Sequence, residues 1–177
     1  VAHVRFNGNS KAVCDGDAVG FVRIVCEPGG GKVLGASLIG PHVMMETDLA
    51  PDLGPVLADA GQPQPVVTNL VVNARHAIPQ GGTVRLVTRN LSLTRDSARA
   101  HGGLLPGEYV RLDVIDSGEG MDAATLGRVF EPFFTTKDKG GGTGLGLATA
   151  YGIVRQAGGV LVADSRHGAG STFSVLL

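Results

Sequence analysis

At 177 residues the chain suits one domain, or one domain with an appendage. Hydrophobic residues make up 43% and the net charge is -1, which excludes wholesale disorder and argues against nucleic acid as the main partner. No apolar run reaches the length of a membrane span and no signal-peptide pattern opens the chain, so a cytoplasmic protein without membrane contact is expected.

Two apolar, β-branched runs, 19–27 and 32–39, flank Pro28-Gly-Gly-Gly31 and predict a β-hairpin. A lone hairpin is marginal in water, so it must pack on the rest of the chain or on a second copy. Cys14 and Cys26 are too few and too oddly spaced for a disulfide framework or a zinc site. A strand at 42–48 precedes a Pro/Gly-punctuated connection at 49–57, and Asp59 offers a helix N-cap. Pro63 and Pro65 fit only a first helical turn, which starts the helix near Pro65 and runs it to Ile78. Thr83–Leu93 and Glu108–Ile115 read as strands around a polar loop at 95–107. Asp122 caps a short helix, 123–130, and a longer helix at 144–157 stops at Gly158-Gly159. Strands at 160–164 and 171–177 close the chain. From residue 42 onward the pattern predicts a mixed sheet with helices, a two-layer α/β sandwich.

Some of these elements carry chemistry. The helix is apolar nearly all round, yet Asn69, Asn73 and His76 recur at i, i+4, i+7 and share one face. Such amides either bond backbone carbonyls or supply an oxygen to Mg²⁺, a hard ion that keeps substrate phosphates as ligands. Asp116 ends an apolar strand, where a bare carboxylate needs donors from turn N–H groups or from an adenine amino group. Gly118 and Gly120 then open a slot for a flat base. Gly144-Leu-Gly-Leu147 begins a helix, a place suited to phosphate. Lys137 is either a phosphate contact or a solvated lysine. Phe130, Phe133 and Phe134 form either a satellite core or the hinge of a movable lid.

Asn69-Leu-Val-Val-Asn-Ala74, Asp116-Ser-Gly-Glu-Gly-Met121, Phe130-Glu-Pro-Phe-Phe-Thr-Thr-Lys137 and Gly142-Thr-Gly-Leu-Gly-Leu147 occur in the order of four boxes. They resemble the boxes of the catalytic ATP-binding domain of sensor histidine kinases, within the GHKL ATPase superfamily, and Gly168-Ala-Gly-Ser-Thr-Phe173 looks like its closing motif. The resemblance covers residues 38–177 and implies a Bergerat-type ATP-binding sandwich. It implies that Asn73 holds Mg²⁺ and Asn69 assists at the phosphates. Asp116 would read the adenine amino group, with Gly118, Gly120 and Met121 shaping the base pocket. Lys137 and Thr143 would lie on a lid, and Gly144, Leu145, Gly146 and Leu147 at the phosphates.

An amide at position 69 is a poor base for water, which favours phosphoryl transfer to a histidine over brisk hydrolysis. None of His3, His42, His76, His101 and His167 sits in a helical hairpin matching the family's phosphoacceptor helices. The histidine is therefore expected on a separate phosphoacceptor domain. The alternative is a nucleotide-binding module, holding ATP or ADP with little or no turnover.

The front of the chain resembles another family. Phe6-Asn-Gly-Asn-Ser-Lys-Ala12, Gly20-Phe-Val-Arg-Ile-Val25 and Val33-Leu-Gly-Ala-Ser-Leu-Ile-Gly-Pro-His42 are similar to the dimerisation domain of dihydrolipoamide dehydrogenases over residues 4–42. This implies a natural or engineered chimera, with a hairpin segment at 1–37 joined to a kinase-like domain at 38–177. Self-association through the open edge of the hairpin is a third possible role.

Overall fold

The computed structural model describes residues 2–5, 21–26, 33–39, 42–57, 63–99, 104–137 and 142–177. At the front, β1 (Ala2–Arg5), β2 (Phe21–Cys26) and β3 (Val33–Ile39) form an antiparallel sheet in that order. The expected β2–β3 hairpin is therefore present, and β1 adds a third strand through the register Ala2 to Ile24 and Arg5 to Phe21.

The main sheet has five strands in the order β4-β5-β6-β8-β7: β4 (Val43–Leu49), β5 (Gly82–Leu93), β6 (Gly107–Asp116), β7 (Val160–Ser165) and β8 (Ser171–Leu176). Only β4 and β5 run parallel. A parallel pair needs a crossover, and helix α1 (Pro63–His76) supplies it. The helix starts at Pro63, one residue pair earlier than the sequence predicts, because a first turn tolerates both prolines. It also ends earlier, at His76, where the Ala77 and Ile78 N–H groups turn back to Asn73 O and Arg75 O at 3.1 Å. Asp59, the expected cap, lies outside the described residues.

Helix α1 buries Val66, Val67, Leu70, Val71 and Ala74, a spacing that keeps one apolar face turned to the sheet. Leu70 and Val71 are fully buried, each contributing about 2 kcal/mol from area alone. They meet Val84 and Leu86 of β5, Val114 of β6, Phe173 and Val175 of β8, and Ala150 and Val154 of helix α4 (Gly146–Gln156). Those packed layers are the two-layer α/β sandwich. Period-two alternation then fixes a functional detail: Asp116 shares the phase of Val114 and faces the helical layer. Asp113 has the opposite phase; it takes hydrogen bonds from Arg111 Nε at 2.8 Å and Ser174 Oγ at 2.5 Å on the other face.

Two connections depart from expectation. The loop after β5 opens with a helical turn, α2 (Arg95–Arg99), because Thr94 and Ser97 bond each other's backbone N–H. The helix after Asp122 is shorter than predicted, α3 (Ala123–Leu126), and turns carry the chain on from Gly127. Its cap is as expected: Asp122 Oδ1 accepts from Thr125 N at 2.7 Å. That backbone N–H holds the Asp122 carboxyl below its ordinary value. A depressed acid stabilises the fold above its unfolded value and loses the effect as pH falls through the folded one. Asp122→Ala should therefore lower the melting temperature by about 2–4 °C at neutral pH and by nothing in strong acid. A drop independent of pH in scanning calorimetry would contradict the cap.

Candidate functional site

The cleft lies on the helical side of the sheet. Its volume is about 600 Å³, in the range of small-molecule and cofactor sites. Helix α1 contributes Asn69, Asn73 and His76, so the polar stripe read from the sequence does face one space. The loop after β6 contributes Gly120 and Met121, and Lys137 and Thr143 stand on the opposite segment. Gly144, Leu145, Gly146 and Leu147 line the cleft where α4 begins. The structure thus gathers all but two of the expected site residues around one cleft.

The two exceptions are informative. Gly118 does not line the cleft: a Cβ there would stand 2.3 Å from Ala77 O. Its bareness lets the loop dock on the end of α1, where the Glu119 N–H donates to Ala77 O at 3.0 Å. The slot expected from Gly118 and Gly120 is therefore first a packing device. Gly120 has φ 65°, and a Cβ on it would meet Arg166 O at 2.0 Å. Asp116 sits behind the lining at 3% exposure. Its Oδ1 accepts from Gly118 N at 2.9 Å, while Oδ2 is buried with no hydrogen-bond partner. Burial pushes its carboxyl above the ordinary value, against the Gly118 N–H and the neighbouring Ser171. An orphaned buried acceptor is costly, and a ligand N–H donor would relieve it.

The three phenylalanines divide into separate roles. Phe130 joins the core, stacked on Tyr151 at 5.1 Å and edge-on to Phe173 at 6.4 Å. Phe134 reaches the cleft under the Arg128 guanidinium, 4.3 Å from the ring centre. Phe133 is 74% exposed with φ 66°, and its N–H donates to Gly144 O at 2.9 Å. Gly144 also has positive φ, and a Cβ on it would meet Phe133 C at 2.4 Å. The bond from Phe133 N–H to Gly144 O thus joins the two described stretches that bring Phe134, Lys137 and Thr143 to the cleft.

Sequence reasoning missed Ser165 and Ser171. Both have the inward phase, Ser165 with Leu161 and Ala163, Ser171 with Phe173 and Val175, and the register pairs them with each other. A hydroxyl at an inward position on a strand end was the available signal. Ser171 lines the cleft, and Ser165 Oγ accepts from Met121 N at 2.8 Å, which ties the loop after β6 to the β7–β8 hairpin.

This layering is that of histidine kinase catalytic domains. The chain superposes on the catalytic domain of the histidine kinase ThkA with a TM-score of 0.57 at 26% identity, covering 76% of this chain and 79% of that one. Full-length ShkA, solved in complex with AMPPNP, matches at a TM-score of 0.57 and 25% identity over 76% of this chain and 25% of ShkA. Residues 58–177 match the sequence pattern of the histidine kinase-, DNA gyrase B- and HSP90-like ATPases, and the chain belongs to that family. Sensor kinase CckA of Brucella abortus (strain 2308) is 47% identical over 147 residues, 82% of this chain. The chain spans 15% of the length of CckA. Residues 1–50 match the dimerisation domain of pyridine nucleotide-disulphide oxidoreductases.

Proposed function

We propose that residues 38–177 bind Mg²⁺·ATP and pass its γ-phosphoryl group to a histidine on a separate phosphoacceptor domain, as the catalytic domain of a sensor histidine kinase. The observation that carries this reading is the orphaned Asp116 Oδ2 behind a cleft of nucleotide size. An adenine amino group is the donor it lacks. Met121 and Gly120 would flank the base, and Asn69 with Asn73 would stand at the phosphates. Asn73 would offer its amide oxygen to Mg²⁺, consistent with an ion that needs few protein ligands when phosphates supply the rest. Among the described residues no cluster of three or more His, Cys, Asp or Glu is placed to hold a metal without them. Bound, the ion neutralises phosphate charge. The chain's own part is to fix the nucleotide with Lys137, Thr143 and the N–H groups from Gly144 to Leu147, so that positioning lowers the barrier.

The test is transfer of label from γ-³²P ATP to an added phosphoacceptor domain. Labelled acceptor histidine supports the reading; ADP binding without any label leaves a nucleotide-binding module. Asn73→Ala should abolish the Mg²⁺-dependent part of ADP affinity in calorimetry while Mg²⁺-free binding persists. Equal Mg²⁺ dependence in variant and wild type would move the metal to another residue.

Two family matches that do not overlap, at 1–50 and 58–177, support a chimera. The front sheet would then serve self-association, read in light scattering as an oligomer for the full chain and a monomer when the chain starts at Leu38; the same number of chains in both would dispose of it. ATP as substrate would be consistent with a cytoplasmic location. Among the described residues no helix is long and apolar enough to cross a membrane.

A further inference from the structure

Three backbone bonds in succession carry the chain from α3 to the cleft: Arg128 N to Thr125 O at 3.0 Å, Glu131 N to Arg128 O at 2.8 Å and Phe134 N to Glu131 O at 3.2 Å. Turns closed between i and i+3 bring side chains three apart together. Arg128 accordingly meets two side chains from this series. Its Nε donates to Glu131 Oε2 at 2.9 Å, and its Cζ lies over the Phe134 ring, 4.3 Å from the centre. Phe133 has φ 66° and leaves its own ring exposed, while the next ring lies back on Arg128.

Phe134 lines the cleft and Arg128 does not, so the guanidinium reaches the ligand space only through the ring. Thr135, Thr136 and Lys137 follow Phe134 directly and line the cleft as well. A cation over one face holds a ring in place, and a held ring fixes where the next three residues begin. The charge of Arg128 has little reach of its own. Glu131 offsets it, both partners of that pair are about half exposed, and water screens what remains. We infer that Arg128 is a positioning residue for phosphate binding: through Phe134 it keeps residues 135–137 arranged so that Lys137 meets the phosphates of the nucleotide. The inference rests on the Mg²⁺·ATP reading of the cleft given above. Apparent affinity scales with the fraction of molecules in the competent arrangement, so loosening the ring weakens binding without removing any group that touches the ligand.

The experiment compares Mg²⁺·ADP with adenosine, which lacks phosphates, by calorimetry on the 177-residue chain. Arg128→Ala should weaken ADP binding about two- to fivefold, the scale of an exposed cation over a ring. Adenosine affinity should not change, since the base end of the cleft is untouched. The melting temperature should move by no more than about 2 °C, because Arg128 is exposed and outside the core. In a Phe134→Leu background the ring is gone and Arg128→Ala should add no further loss, a coupling that a double-mutant cycle isolates. Glu131→Ala separates position from charge. Without its carboxylate Arg128 is less fixed but less neutralised, so positioning predicts weaker ADP binding and direct attraction to phosphate predicts tighter binding. Unchanged ADP affinity in Arg128→Ala, equal losses for ADP and adenosine, additive losses with Phe134→Leu, or tighter ADP binding in Glu131→Ala would each overturn the inference while leaving the nucleotide site standing. A wild type that binds neither ligand overturns the Mg²⁺·ATP reading and this inference with it.

Discussion

Asp116→Asn should weaken ADP binding about 5- to 150-fold without lowering the melting temperature of the unliganded domain at neutral pH. The two effects separate because the carboxylate is a liability to the fold and an asset to the site. Its carboxyl is raised above 3.8 chiefly by burial. For an acid whose folded value exceeds its unfolded one, stability is full below the unfolded value and is lost as pH rises through the folded value. The unliganded domain should thus lose stability as pH climbs upward from 3.8, and Asp116→Asn should flatten that slope. A bound amine reverses the preference, since an N–H donor favours the charged carboxylate. ADP affinity of the wild type should accordingly rise with pH through the same window, and the variant should not follow. Melting curves and titrations across that range decide the matter. Equal ADP affinity in both proteins would remove Asp116 from base recognition, and a large loss of unliganded stability would make it a structural residue.

Much of the sheet and helix layer could be read from pattern alone. The runs at 83–93 and 108–115 that read as strands are β5 and β6, and the amide stripe of α1 does open onto the cleft. Where the reading fell short, the cause was tertiary. The slot assigned to Gly118 was really room for Ala77 O, a contact between segments 41 residues apart that no local pattern encodes. The polar loop after β5 gained a helical turn because Thr94 and Ser97 could cap one another, a two-residue signal easily read as mere polarity. Phe130, Phe133 and Phe134 looked like one cluster in sequence, yet core, surface and cleft each took one. Ser165 and Ser171 were legible in principle. Their inward phase marks them once the strand register is known, and the register comes only with the fold.

The heaviest loss of stability is expected from Gly170→Ala, and its neighbour Gly168 supplies the control. Both glycines have left-handed backbones, φ 81° and 78°, in the turn between β7 and β8. An alanine at either one carries the same conformational cost, about 1–2 kcal/mol. Around Gly168 there is nothing within 4 Å of an added Cβ. At Gly170 the added carbon would stand 2.0 Å from Asp116 O and 3.2 Å from Ser117 Cα. Those are backbone atoms at the end of β6, with no flexible side chain to yield. Relief requires the start of β8 to lift from β6, where Ser171 pairs with Asp116. Overpacking of that kind adds about 1–3 kcal/mol. Gly170→Ala should therefore cost about 2–5 kcal/mol, a large share of the roughly 5–15 kcal/mol that holds a domain together. Gly168→Ala should cost only the conformational part. Urea denaturation of the two variants checks the difference directly. Because the strand end that must shift also carries Asp116, whatever Gly170→Ala protein folds should bind ADP more weakly than the Gly168→Ala protein. Equal midpoints for the two would mean that the close approach to Asp116 O is not what demands a glycine at 170.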